Sequence, residues 1–161
     1  YFFFFLAMIQ RIQSLYLLIS AILLAFFFFM PYAHYAVGPQ EVKISLSASG
    51  LGQDGSVVEN LPKLWAVLAL VILAFIATLV TIFLFKKRKL QARLCIFNIV
   101  LLIGLQGLLF YIAKAVEQRL MAPPSYGLIF IFPLVCVIFT YLAYRAIAKD
   151  EALIRSLDRL R

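Results

Sequence analysis

Few residues in this chain could do chemistry, and the apolar stretches hold almost none of them. The only histidine is His34. A bis-histidine haem needs two such ligands, so that class of cytochrome is excluded, and His34 reads as an interfacial residue beside Tyr32 and Tyr35. No zinc-type ligand set, Gly-rich phosphate loop or Ser/His/Asp grouping can be assembled. Cys95 and Cys136 stand singly in apolar runs without CxxC spacing, which reads as two small buried hydrophobes rather than a redox pair. No catalytic, cofactor-binding or metal-ligating residue is therefore expected, and the chain is expected not to be an enzyme.

Four apolar runs, 12–30, 64–85, 94–113 and 128–143, contain no Asp, Glu, His, Lys or Arg. Proton relays and coupled ion pathways are built from such residues, so a pump or coupled transporter is disfavoured. The notable polar residues of the last three runs are Thr78, Thr81, Asn98, Gln106 and Thr140. If the turn between the second and third runs centres between Lys89 and Leu90, Thr81 and Asn98 lie at equal depth, and a hydrogen bond between them is expected. Thr81, Asn98 and Gln106 are thus read as helix-packing polar residues. Gly104 and Gly107 lie near the level of Phe75 and Val71, where a helix or ring can approach closely. The alternative is that Asn98, Gln106 and these glycines line a site for a lipid or quinone headgroup.

The elements that must position these residues follow from composition. Of 161 residues, 65% are hydrophobic and 14% charged, more apolar surface than a water-soluble domain of this size can hide. The expected fold is an all-α membrane protein of one domain, with spans at about 9–30, 64–85, 94–113 and 126–147. Pro133 interrupts the last run and predicts a kink that orphans the carbonyl of Ile129. Residues 1–7 precede Met8, which reads as the natural start, so they are taken as an upstream extension. The first span is too long an apolar run for a cleavable signal.

Orientation comes from the bases. Eleven of the fifteen Lys and Arg fall on one side: Arg11, five between residues 86 and 93, and five from Arg145 onward. With the acids counted, that side carries the whole net charge of +8. It is assigned to the cytoplasm, with both termini there. The run Lys86-Lys-Arg-Lys89 is read as a topology anchor rather than a headgroup or nucleic-acid patch.

Outside the membrane, the loop 31–62 holds alternating Val42, Ile44 and Leu46, which predicts a strand over 41–47, with 56–58 returning as the second arm of a β-hairpin. After the fourth span, residues 148–161 predict a C-terminal amphipathic helix whose Leu153, Leu157 and Leu160 form one stripe, flanked by Arg155 and Arg159. This stripe and its arginines are the candidate contacts for a partner protein or for anionic lipid headgroups.

Three blocks carry a family resemblance: Met8-Ile-Gln-Arg-Ile-Gln-Ser-Leu-Tyr-Leu; Thr81-Ile-Phe-Leu-Phe-Lys-Lys-Arg-Lys-Leu-Gln-Ala-Arg-Leu-Cys-Ile-Phe-Asn98; and the ending from Arg145 to Arg161. The chain resembles the bacterial four-span inner-membrane proteins grouped as domain of unknown function 4293. The resemblance covers residues 8–161, implies the span count and the Met8 start, and supplies no activity. The expected role is a non-enzymatic scaffold or accessory subunit of a membrane complex, whose partners are the bilayer and other membrane proteins, with no cofactor and no nucleic acid. The alternative is a lipid- or quinone-binding or transport protein using the bundle interior.

Overall fold

The computed structural model describes residues 2–31, 33–44, 51–52 and 65–160, with side chains placed in 12–31, 33–36, 38–39 and 65–160. Four helices dominate: α1 (Phe2–Phe29), α2 (Trp65–Phe83), α3 (Arg88–Leu120) and α4 (Phe132–Asp158). Each is long and apolar enough to cross a membrane. α1 packs on α2 and α4, and α3 on α2 and α4, closing a four-helix bundle.

The inward positions keep one period throughout. They are Gln13, Leu17, Ser20, Leu24 and Phe27 on α1, and Val67, Val71, Ala74, Thr78 and Thr81 on α2. On α3, Gln91, Cys95, Asn98, Leu102, Leu105 and Leu109 face in; on α4, Pro133, Cys136, Thr140, Ala143, Ile147 and Asp150 do. Steps alternate between three and four residues, the 3.5-residue repeat of knobs-into-holes packing. Large apolar residues such as Ile72, Ile76, Val100, Ile103 and Phe110 point outward. In a bilayer such faces meet tails as apolar as themselves, so close packing and buried polar contacts, not burial from water, hold the helices together.

At about 1.5 Å per residue, α2 spans roughly the 30 Å of a hydrocarbon core, while α3 and α4 overshoot it. The apolar run ends at Ala113, yet α3 continues to Leu120, so much of the segment between the expected third and fourth spans is helical. α3 stops where Met121 takes a left-handed conformation (φ 51°) just before Pro123 and Pro124. No break separates the fourth span from the C-terminal amphipathic segment; both belong to α4.

Pro133 does not kink a helix. It sits in the first turn of α4, where its missing N–H costs nothing. The residues before it, Leu128–Ile131, form a 3-10 turn, and the Ile129 carbonyl accepts from the Phe132 N–H. The expected orphan is thereby satisfied.

A small antiparallel sheet caps the end of the bundle opposite the α2–α3 turn. Strands β1 (Ala33–Val37) and β2 (Gln40–Ile44) form a hairpin, with β3 (Leu51–Gly52) beside β2 and β4 (Pro124–Tyr126) beside β1. Gly38 has φ 61° at the first of the two turn residues and Pro39 fills the second, the pattern of a II′ turn. The hairpin thus pairs residues 33–37 with 40–44, and part of the expected strand 41–47 is its second arm. The expected return over 56–58 lies outside the described residues. β4 ties the sheet to the segment entering α4, with Ala33 opposite Tyr126 and Tyr35 opposite Pro124.

Candidate functional site

Two regions concentrate polar chemistry: a layer inside the bundle and the basic end. The interior is split into two apolar clusters. One holds Leu24, Phe27, Val71, Leu102, Leu105 and Cys136; the other holds Leu17, Cys95, Ala143 and Ile147. At their boundary each helix contributes one fully buried polar side chain: Ser20, Thr78, Asn98 and Thr140.

The layer is largely self-satisfied. Thr78 donates to the Ala74 carbonyl (2.8 Å), which leaves its oxygen free to accept from Asn98 Nδ2 (2.9 Å). Thr140 donates to the Cys136 carbonyl (2.7 Å), and Cys136 Sγ to the Ser20 carbonyl (3.5 Å). Threonine hydroxyls bonded to the carbonyl four residues back need no partner from another helix. Asn98 Oδ1 and Ser20 Oγ are buried without a hydrogen-bond partner.

The expected Thr81–Asn98 bond is replaced by a pairing shifted along α2. Asn98 meets Thr78, while Thr81 donates to the Ala77 carbonyl (2.6 Å) and its own carbonyl accepts from Gln91 Nε2 (3.1 Å). The cause is the turn. α2 ends at Phe83 and α3 begins at Arg88, so the hairpin pivots before Lys89 and the partners move by one inward position. Gln106 is partly buried and its Oε1 has no partner. Gly104 and Gly107 face outward, with nothing within 4 Å of where a Cβ would stand, so among the described residues no helix approaches them closely.

At the basic end, Arg88 Nη1 lies 3.0 Å from Asp150 Oδ2, with the Asp150 side chain 1% exposed; the charges meet without hydrogen-bond alignment, so the pair acts through charge and neither Asp150 oxygen accepts a hydrogen bond. The pair fixes the α2–α3 turn against α4. Beyond it an open notch of about 700 Å³ lies between the turn and the last turns of α4, walled by Lys86, Lys87, Arg88, Lys89 and Arg93 on one side and by Ile154, Arg155 and Asp158 on the other. Arg155 is held by Glu151 (2.7 Å). Leu153 and Leu157 are about half exposed and Leu160 almost wholly so, and none of the three lines the notch. A second, wholly apolar cavity of about 290 Å³ lies between α1 and α2, lined by Leu24, Phe28, Val71 and Phe75. Asn98 and Gln106 line neither cavity.

At the capped end, Tyr35 is buried and its hydroxyl donates to the Ala113 carbonyl of α3 (2.9 Å). Burial, with Tyr126 and Glu117 nearby, pushes its phenol up to about 12. His34 sits in β1 opposite Lys43 and Ser125. Cys95 and Cys136 are buried and free, in different clusters. Among the described residues no group of three or more His, Cys, Asp or Glu is placed to hold a metal ion.

Sequence reasoning missed Arg88–Asp150, Gln91–Thr81 and Tyr35–Ala113. The first had a signal: Asp150 follows Ala143 and Ile147 in the inward phase of α4, and Arg88 precedes Gln91 and Cys95 in that of α3. Tyr35 had none beyond its place near the end of a span.

Four apolar helices packed in a ring and capped by a small sheet define a multi-pass membrane protein. The chain belongs to the family described as domain of unknown function (DUF4293), whose model matches residues 9–160. No curated protein and no solved structure matches it.

Proposed function

We propose that this protein is a non-enzymatic scaffold or accessory subunit of a membrane complex, working in the bacterial inner membrane with both ends in the cytoplasm. The observation that carries the reading is the contrast between a polar interior bonded mainly to itself and an apolar stripe left outside. Asn98, Thr78 and Thr140 hold hydrogen bonds within the bundle. Leu153 and Leu157 remain half exposed on α4, beyond the expected end of its span. Burying each such leucine from water contributes about 1.5–3 kcal/mol, so a covering partner gains from the contact. Glu151 and Asp158, the acids of this segment that are not buried, dilute its attraction to anionic lipid, which favours protein over lipid as its cover.

The test is purification from native membranes in mild detergent, comparing the full chain with one lacking residues 152–161. Loss of the co-purifying proteins with insertion intact supports the reading; an unchanged set removes α4's end from it. A second reading, a lipid or quinone held inside the bundle, draws on the unpartnered Asn98 Oδ1 and Gln106 Oε1. It requires a co-purifying small molecule that Asn98→Leu abolishes.

A further inference from the structure

We propose that the notch between the α2–α3 turn and the end of α4 holds the headgroup of an acidic phospholipid. Six bases wall it against two acids. Two of the bases are occupied, Arg88 by Asp150 and Arg155 by Glu151. Lys87, Lys89 and Arg93 line the same cavity, and all three are exposed. A topology anchor requires only charge on one side of the membrane. It does not require those charges to line one concave space closed on its far side by the end of α4. Basic pockets between helices at this level suit phosphate-bearing headgroups.

The backbone agrees with that sign. Lys87 is the N-cap of α3 and Arg88 and Lys89 open it, with no acid in the first turn and no side-chain cap, so three cations crowd the positive end of a helix dipole. An anion in the notch relieves that repulsion. The first intrahelical bond runs from the Gln91 N–H to the Lys87 carbonyl (2.9 Å), so the N–H groups of 88–90 precede it. The apolar half of a lipid is accommodated as well. Leu90 and Ile154 line the notch, and Leu90 and Phe85 are exposed beside it. Acyl chains can therefore follow the helix surface while the headgroup sits among the bases.

The experiment uses the full chain in detergent and counts bound lipids by native mass spectrometry, titrating phosphatidylglycerol, phosphatidylcholine or inorganic phosphate. Phosphatidylglycerol is expected to bind at least ten-fold more tightly than phosphatidylcholine. Lys89→Gln with Arg93→Gln should weaken it at least five-fold. Arg145→Gln with Lys149→Gln removes as much charge from exposed positions of the same face outside the notch, and should change binding less than two-fold. Ile154→Glu, which leaves every base in place, should also weaken it at least five-fold. Equal losses in the two charge-matched variants, or no loss with Ile154→Glu, overturn the notch. Equal binding of phosphatidylcholine, or occupation by inorganic phosphate at the same concentrations, overturns the acidic lipid.

Discussion

Arg88, in the first turn of α3, lies 3.0 Å from Asp150, seven residues beyond Ala143 on α4, and the two close the basic end of the bundle. Both continue the inward phase of their helices past the last apolar layer. Asp150→Asn leaves Arg88 largely buried without its counter-charge and is expected to cost about 3 kcal/mol, the low end for breaking a buried pair. Thermal unfolding in detergent reads the loss. Arg88→Asp with Asp150→Arg should recover part of it; no recovery means that the pair acts through something other than its mutual charge.

The polar layer gives a coupling test. Asn98→Leu and Thr78→Val should each destabilise, and their double-mutant cycle should show about 0.6–1.7 kcal/mol of interaction. The same cycle between Asn98 and Thr81 should show none, since Thr81 bonds to Ala77 and Gln91 instead. Coupling through Thr81 alone would restore the pivot at Lys89.

Tyr35 joins the sheet to α3 through the Ala113 carbonyl, and Tyr35→Phe should cost about 1 kcal/mol. Its raised phenol gives a pH signature. The folded group titrates near 12 and the unfolded one near 10, so its contribution is whole below pH 10 and lost as pH rises towards 12. The stability gap between wild type and Tyr35→Phe should close within that window and then reverse, because about two pKa units outweigh a hydroxyl contributing about 1 kcal/mol. A gap constant to pH 12 would detach the hydrogen bond from the stability of the cap.

Orientation rests on the eleven-to-four division of Lys and Arg. Reporter fusions in the 86–89 turn and after Arg161 should behave as cytoplasmic, and one near Gly55 as external. The reverse pattern would turn the bundle over.

Much of this architecture is legible in the sequence, for a physical reason. Hydrocarbon forces the backbone to satisfy itself, so four apolar runs must be four helices. Which face turns inward is harder, because the outward face is as apolar as the core. The inward phase is marked instead by small and polar residues: Gln13 and Ser20, Ala74 and Thr78, Cys95 and Asn98, Cys136 and Thr140. Read that way, Asp150 falls on the buried face of α4. The partner of Asn98 was not legible, because a shift of between one and two residues in the pivot of a tight turn moves the match from Thr78 to Thr81. Pro133 misled for a similar reason: a proline in an apolar run reads as a kink until the start of the helix is known. The arm β1 was hidden because its Ala33, Tyr35 and Val37 adjoin the apolar end of the first span and blur the alternation.

The proposed role sets the end of α4 against another protein. A photoreactive residue replacing Leu157, irradiated in native membranes, tests it most directly, with Val100 on the outward face of α3 as the comparison. A discrete protein adduct is expected at Leu157 and only lipid adducts at Val100. Lipid adducts alone at Leu157, matching those at Val100, would contradict it.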